Sequence, residues 1–433
     1  MNIVLATPAI VRILIVFLVV LYAIKKNFSL GYAFLGGAIL IGLLFGMSIP
    51  AIFVAAFYAL IHPKTLSLTV VVCMILVFSH SLEATGQMKR LLDSFRGLIR
   101  RPLLNLLVFP ALIGLLPMPG GAVFSAPMVK NIGGEQELTS AQLSYINYWF
   151  RHIWEYWWPL YPGVLLTTAL AGIDIWMFMA CSIPLSIVAV SAGYWPLRHS
   201  LRHIEARNRN QDTTKNYRVF FRELFPILLV IGVGIGAGVL FSLFFEKGAD
   251  NISKESGLIF ALIIGIAWVW QKNRLRARQR LDILIQPALL KMFIMIASIL
   301  IFQGLLTESG AVKQISGELL RWHIPLIPVI MILPFIVGGV AGITIAFVGT
   351  TFPILISLIQ TLGQVHFMLP FMMLAIVCGF VGVLVSPLHL CLILTNTYFE
   401  ATLSSIYRLM WLPLLALSAA GSTYFFLIRS IFF

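Results

Sequence analysis

Charge is scarce in this sequence, and acidic charge scarcest of all. Asp and Glu number 16 among 433 residues, charged residues of every kind make up 11%, and 60% are hydrophobic, for a mean hydropathy of +0.97. A water-soluble core cannot hide that much apolar surface, so soluble-enzyme classes fall away and an integral membrane protein is expected. Cysteine is also rare. Cys73, Cys181, Cys378 and Cys391 lie in apolar runs with no CxxC pair, which argues against a disulfide framework or a thiolate metal site and reads them as small buried residues. There is no HExxH, no GxSxG and no acidic pair within one span. A membrane-embedded enzyme therefore lacks its nucleophile or metal cluster, and the H-x-x-E of His152 and Glu155 is insufficient alone. The run from Ile3 to Ile24 has no basic n-region or small-residue cleavage site, so it reads as a mature spanning helix.

What is present is basic charge in particular places. The net charge is +14, and loops 84–101, 196–222 and 271–282 hold 17 of the 30 Lys and Arg. In a soluble chain this would suggest nucleic acid. Beside apolar spans it sets orientation, with these loops cytoplasmic and membrane lipid rather than nucleic acid as the partner. Two hydrophobic stretches, 102–130 and 325–360, are broken by Pro and Gly at matching places, each with a Gly-Gly core and a later Pro at its exit. Gly86 and Gly310 are 224 residues apart (310 minus 86), as are Pro63 with Pro287 and Pro110 with Pro334; Pro127 with Pro353 and Pro159 with Pro387 drift to 226 and 228. A collinear series of this kind indicates an internal repeat.

Parity between the basic loops makes 102–130 a re-entrant hairpin entering and leaving on one side, and its partner 325–360 opens from the other. The expected fold is an all-α polytopic membrane protein of two inverted-topology repeats, with about ten spanning helices plus two re-entrant helical hairpins. The first repeat covers 1–195 (hairpin 102–130, broken helix 141–170), a basic cytoplasmic linker covers 196–221, and the second repeat covers 222–433 (hairpin 325–360, broken helix 368–396). Arm helices, 84–100 and 308–321, precede the hairpins, and 50–62 and 274–285 read as short interfacial segments.

Segment 141–170 holds Arg151, His152 and Glu155 before Pro159 and Pro162. Ionisable groups at membrane depth are costly and usually face a cavity or a partner. Arg151 can bind an anionic group, and His152 or Glu155 can carry a proton; alternatively Arg151 and Glu155, four apart, share a helical face as a structural ion pair. Trp149, Trp154, Trp157 and Trp158 read as an interfacial belt. In the hairpins, Gly120 and Gly121 with Ser125, and Gly338 and Gly339 with Thr350 and Thr351, offer backbone and hydroxyl ligands at broken helix ends; the alternative is that the glycines only permit close packing. Hydroxyls and free carbonyls suit Na⁺, so Glu155, Ser125, Thr350, Thr351 and Asn396 are the coupling candidates. His389 reads as hydrogen-bonded scaffolding.

The layout resembles the ion transporter superfamily, which includes divalent anion symporters, citrate and gluconate permeases, arsenite permeases and D-type sodium/proton antiporters. The run PMPGGAVFSAPMV most closely resembles an uncharacterised permease-like membrane family grouped with it. The resemblance implies two inverted repeats, each with a re-entrant hairpin and a broken helix, a scaffold domain that often dimerises, and elevator-like movement of the transport domain; a homodimer in a prokaryotic cytoplasmic membrane is expected. By position, Ser125 and Thr350 with Thr351 match the Ser-Asn-Thr hairpin-tip motifs of sodium-coupled dicarboxylate members, but the Asn is missing at both tips. The leading expectation is a secondary transporter for a small anion coupled to Na⁺ or H⁺, without a further cofactor. A cation/proton antiporter using Glu155 is the nearest alternative; a membrane enzyme and a purely structural protein stand further off.

Overall fold

The computed structural model describes residues 7–26, 28–96, 102–117, 121–134, 138–200, 217–244 and 250–432. Among these residues the fold is helical throughout, with no strand. The first part comprises α1 (Ala9–Lys25), α2 (Leu30–Leu44), α3 (Ile49–Ile61), α4 (Pro63–Ala84), α5 (Gln87–Arg96), α6 (Pro102–Gly114), α7 (Ala122–Gly134), α8 (Ser140–Arg151), α9 (Pro162–Ala171), α10 (Ile175–Ser182) and α11 (Pro184–Tyr194). The second comprises α12 (Tyr217–Phe244), α13 (Asp250–Lys272), α14 (Ala277–Leu284), α15 (Pro287–Glu308), α16 (Ala311–Arg321), α17 (Leu326–Ala341), α18 (Thr344–Thr361), α19 (Met368–Val385), α20 (Leu390–Phe399) and α21 (Leu403–Phe432).

Proline and capping chemistry set many of these boundaries. Pro63, Pro162, Pro184 and Pro287 each open a helix, where the missing N–H costs nothing. Thr139 and Gln142 form a capping box at α8, and Asp174 accepts from Trp176 N and Met177 N at α10. Gly172 and Gly342 end α9 and α17 in the left-handed region, at φ 67° and 66°.

Among the described residues, seven helical stretches are long and apolar enough to cross a membrane, and the protein is an integral membrane protein. Outward-facing Phe221, Phe225, Leu228, Val239 and Leu240 on α12 suit lipid rather than water. The ten expected spans are not all reached by length: α1 has 17 residues and α2 has 15, the latter about 22 Å against a hydrocarbon thickness of about 30 Å. The segment expected at 50–62 is a regular helix, α3, with Ile52 its one buried residue. Within the expected linker, residues 201–216 lie outside the described set, as do 3–6 of the first expected span.

The interior is centred on α19, whose residues from Met368 to Leu384 are all buried, as expected of a helix apolar on every side. It crosses α17 at backbone distance. A Cβ on Gly338 would overlap the Gly379 carbonyl oxygen, and one on Gly382 would overlap that of Phe335. Gly338 and Gly339 therefore do not expose backbone at a hairpin tip, as expected from the sequence; both are helical positions, and Gly338 lets the two helices touch. Gly338→Ala is expected to destabilise the folded protein by about 1–3 kcal/mol through overpacking, read as a lower unfolding temperature in detergent. An unchanged transition would mean the crossing is looser than described.

Two trios of helices frame the centre. The helix α7 packs on α8 and α20, while α18 packs on α19 and α9.

Candidate functional site

Two interruptions organise the interior. The helix α8 stops at Arg151 with His152 as its C-cap, and the chain runs in turns until Pro162 opens α9; α19 stops at Val385, and 386–389 turn before α20. Helix ends leave carbonyls without helical donors, which at membrane depth must be satisfied by protein. Aromatic side chains do this. Trp154 Nε1 donates to Ala111 O at 2.7 Å, Trp158 Nε1 to Leu115 O at 2.9 Å and the Tyr161 hydroxyl to Gly114 O at 2.7 Å, covering the end of α6. The hydroxyls of Tyr148 and Tyr407 donate to Leu384 O at 3.0 Å and Val385 O at 2.9 Å, covering the end of α19. Trp149 and Trp157 donate to Ala189 O and Ser186 Oγ. The four tryptophans expected as an interfacial belt thus turn their indole N–H groups to interior acceptors.

Arg151 is 2% exposed. Its guanidinium lies against Gly121, where a Cβ would stand 2.5 Å from Nη2, and its carbonyl oxygen lies against Gly114, where a Cβ would overlap it. Both glycines belong to the first broken stretch, so that stretch closes on Arg151 because it carries no side chain there. Glu155 reaches the second stretch instead. Its Oε1 accepts from Thr344 Oγ1 at 2.7 Å, and its Oε2 is 3.8 Å from His152 Nε2. Thr344 opens α18 two residues after Gly342, and a Cβ on Gly342 would come within 3.0 Å of His389 N and Ser386 Oγ in the second break. The rings of His152 and His389 are 4.9 Å apart, with Tyr148 beside both. One buried region therefore gathers both breaks and both Pro/Gly stretches.

A polar seam adjoins it between α7, α8 and α20. Asn147 Nδ2 donates to Ala122 O at 3.0 Å and to Thr395 Oγ1 at 3.2 Å, Ser144 Oγ donates to Asn396 Oδ1 at 2.8 Å, and Ser125 Oγ donates to Ala122 O at 3.3 Å. Asn147 Oδ1 and Asn396 Nδ2 stay buried without a hydrogen-bond partner among the described residues. Such atoms are costly and often mark places where water or an ion completes the set.

Of the residues singled out in the sequence, Arg151, His152, Glu155 and Gly121 meet in this region, and Ser125 and Asn396 line the seam. Gly120 lies outside the described residues. Thr350 and Thr351 are not tip residues: both are buried in α18, and their hydroxyls donate to Ala346 O at 2.9 Å and Phe347 O at 2.8 Å of their own helix, the usual outcome for a mid-helix threonine. Nor do Arg151 and Glu155 share a helical face, because the helix ends at Arg151 and four-residue spacing brings side chains together only while the helix continues. Sequence reading missed Tyr148, Thr344, Asn147 and the neighbourhood of Cys391. Thr344 had one signal, its position just after a turn glycine; Tyr148 had none.

The arrangement supplies a fixed cation, a carboxylate, two imidazoles and neighbouring amides and hydroxyls, enclosed where helices break. That set can hold a small anion and take up or release a cation. A comparison with curated proteins finds no match. The family described as "Protein of unknown function (DUF401)" matches residues 7–428, nearly the whole chain, and the protein belongs to that family.

Proposed function

We propose that the protein is a secondary active transporter for a small anion, with organic carboxylates the first class to test, driven by Na⁺ or H⁺ and working by alternating access. The observation that carries this reading is the buried meeting of Arg151 with Gly121 on one side and of Glu155 with Thr344 on the other. A cation held at membrane depth is costly and marks a pathway or a partner. Non-helical backbone at that depth lines a cavity or is enclosed by protein, and paired broken helices are how many transporters build a midplane site.

The packing supports two inverted-topology repeats, each with a re-entrant helical hairpin and a broken helix. The contact of α7 with α8 and α20 has its counterpart in that of α18 with α19 and α9, and the Pro127/Pro353 and Pro159/Pro387 offsets relate the same elements. This layout is also the reason to group the protein with the ion transporter superfamily. In the proposed cycle, Arg151 holds the anion's charge, Gly121 keeps the approach open, and Glu155 links anion binding to the coupling cation and to Thr344 of the second hairpin.

Reconstituted into proteoliposomes, the protein is expected to take up at least one labelled carboxylate saturably, and only with an inward Na⁺ or H⁺ gradient. A second reading, cation/proton antiport, is favoured by one observation, the enclosed Glu155 carboxylate between His152 and Thr344. Failure to move any carboxylate or oxyanion, together with gradient-driven Na⁺/H⁺ exchange, would replace the first reading with the second.

A further inference from the structure

We propose that His152, His389 and Cys391 bind one divalent transition-metal ion of the zinc class, with the Glu155 carboxylate standing beside the cluster, at the point where the two helix breaks meet. One ring nitrogen of each histidine and the Cys391 Sγ all lie within 4.8 Å of one another, and all three residues are buried. Around a tetrahedral ion with bonds of about 2.0 Å to nitrogen and 2.3 Å to sulfur, ligand atoms stand roughly 3.3–3.6 Å apart. Closing the cluster therefore needs about 1 Å of side-chain movement and no new backbone path. Glu155 Oε2 stands 3.8 Å from His152 Nε2, outside the three-residue cluster.

The hydrogen bonds around the cluster prepare both imidazoles for this role. His152 Nδ1 is 2.6 Å from Tyr148 O, a carbonyl that can only accept, so the proton sits on Nδ1 and Nε2 carries the lone pair. The Tyr148 hydroxyl spends its proton on Leu384 O and so accepts from His389 Nδ1 at 2.9 Å, with Val383 O a second acceptor at 3.3 Å. His389 is thereby fixed in the same tautomer. Holding the distal ring N–H on a carbonyl or hydroxyl is how proteins orient metal-binding histidines. Glu155 is oriented likewise, since Thr344 occupies Oε1 and leaves Oε2 toward His152.

Charge and ligand softness decide the kind of ion. The Cys391 thiolate, with the Glu155 carboxylate nearby, offsets charge on the dication while both imidazoles stay neutral, so the ion is not the uncompensated dication that would be very costly in the interior. Sulfur and imidazole ligands select zinc-class ions over magnesium or calcium. The ligands come from both halves of the chain, His152 capping α8 and His389 with Cys391 opening α20, so the ion would tie the two breaks together. The site shares His152 with the proposed transport site and stands beside its Glu155 but does not depend on what is transported.

The test uses full-length protein in detergent, loaded with Zn²⁺ or Co²⁺ and freed of excess metal. About one ion per chain is expected by elemental analysis, with a sulfur-to-cobalt charge-transfer band for the Co²⁺ form. Cys391→Ser is expected to remove that band and to weaken zinc binding at least tenfold, and Tyr148→Phe to weaken it by about 10- to 100-fold through loss of the group that orients His389. Arg151→Ala is expected to keep the ion while weakening anion uptake, which separates failure of this proposal from failure of the transport reading. Folded wild-type protein that retains no zinc, or a Cys391→Ser variant with an unchanged cobalt spectrum, would overturn it. Should Cys391→Ser not fold, the cobalt spectrum of the wild type decides the matter, and a Co²⁺-loaded protein without a sulfur-to-cobalt band would again overturn it.

Discussion

Arg151→Ala is expected to raise the half-saturating concentration of the transported anion by at least about 30-fold. Truncating one partner of a buried charged pair costs about 2–5 kcal/mol, which corresponds to a range from roughly 30-fold to several thousand-fold. The upper part of the range fits this site, because Arg151 is enclosed and Gly121 leaves its guanidinium room that no other residue would. Arg151→Lys is expected to recover only part of the loss, since an ammonium cannot offer the planar fork that engages a carboxylate through two hydrogen bonds. The measurement is initial uptake against anion concentration in proteoliposomes, with gel filtration to confirm a folded population. Unchanged uptake by Arg151→Ala would sink the assignment of the substrate site.

Glu155→Gln is expected to uncouple transport rather than to abolish it. Glutamine keeps a carbonyl oxygen for Thr344 Oγ1, so the link to α18 survives, but the charge that a coupling cation would neutralise is gone. If one proton accompanies each anion, a gradient of one pH unit supports about tenfold accumulation. The variant should accumulate nothing above equilibrium while still exchanging labelled for unlabelled anion across the membrane. Gradient-driven accumulation by Glu155→Gln at the wild-type level would remove Glu155 from coupling, and retained pH-dependent ion exchange would dispose of the antiporter reading as well.

The breaks themselves were legible in the sequence because Pro and Gly act locally. Pro162 opens α9 and Gly342 ends α17 for reasons carried by those residues alone. Where legibility failed, the deciding group lay elsewhere in the chain. Gly338 and Gly342 look alike in sequence, since both lack a Cβ; what separates them is that Gly379 lies across from the first while the second adopts a positive φ. The end of α8 at Arg151 precedes Pro159 by two turns of helix, with no breaker residue to announce it. The aromatic segment that follows is held by distant acceptors, Ala111 and Leu115 for Trp154 and Trp158. The ionisable trio was visible because charge is conspicuous in an apolar span. Its partner Thr344 was not, because a threonine in such a chain is unremarkable until a carboxylate is found beside it.

The crossed packing of α7 with α20 and of α18 with α9 bears on how the protein is made. When the ribosome has released only the first part of the chain, Asn147 has no Thr395 to meet, Ser144 has no Asn396, and Glu155 has no Thr344. The early helices must then wait in the bilayer with polar groups uncovered, and the centre can close only after α20 has been inserted. Biogenesis of this protein would thus end in a single late docking event. Fragments split within the 201–216 stretch and synthesised separately should be degraded alone yet rescue one another when produced in the same cell.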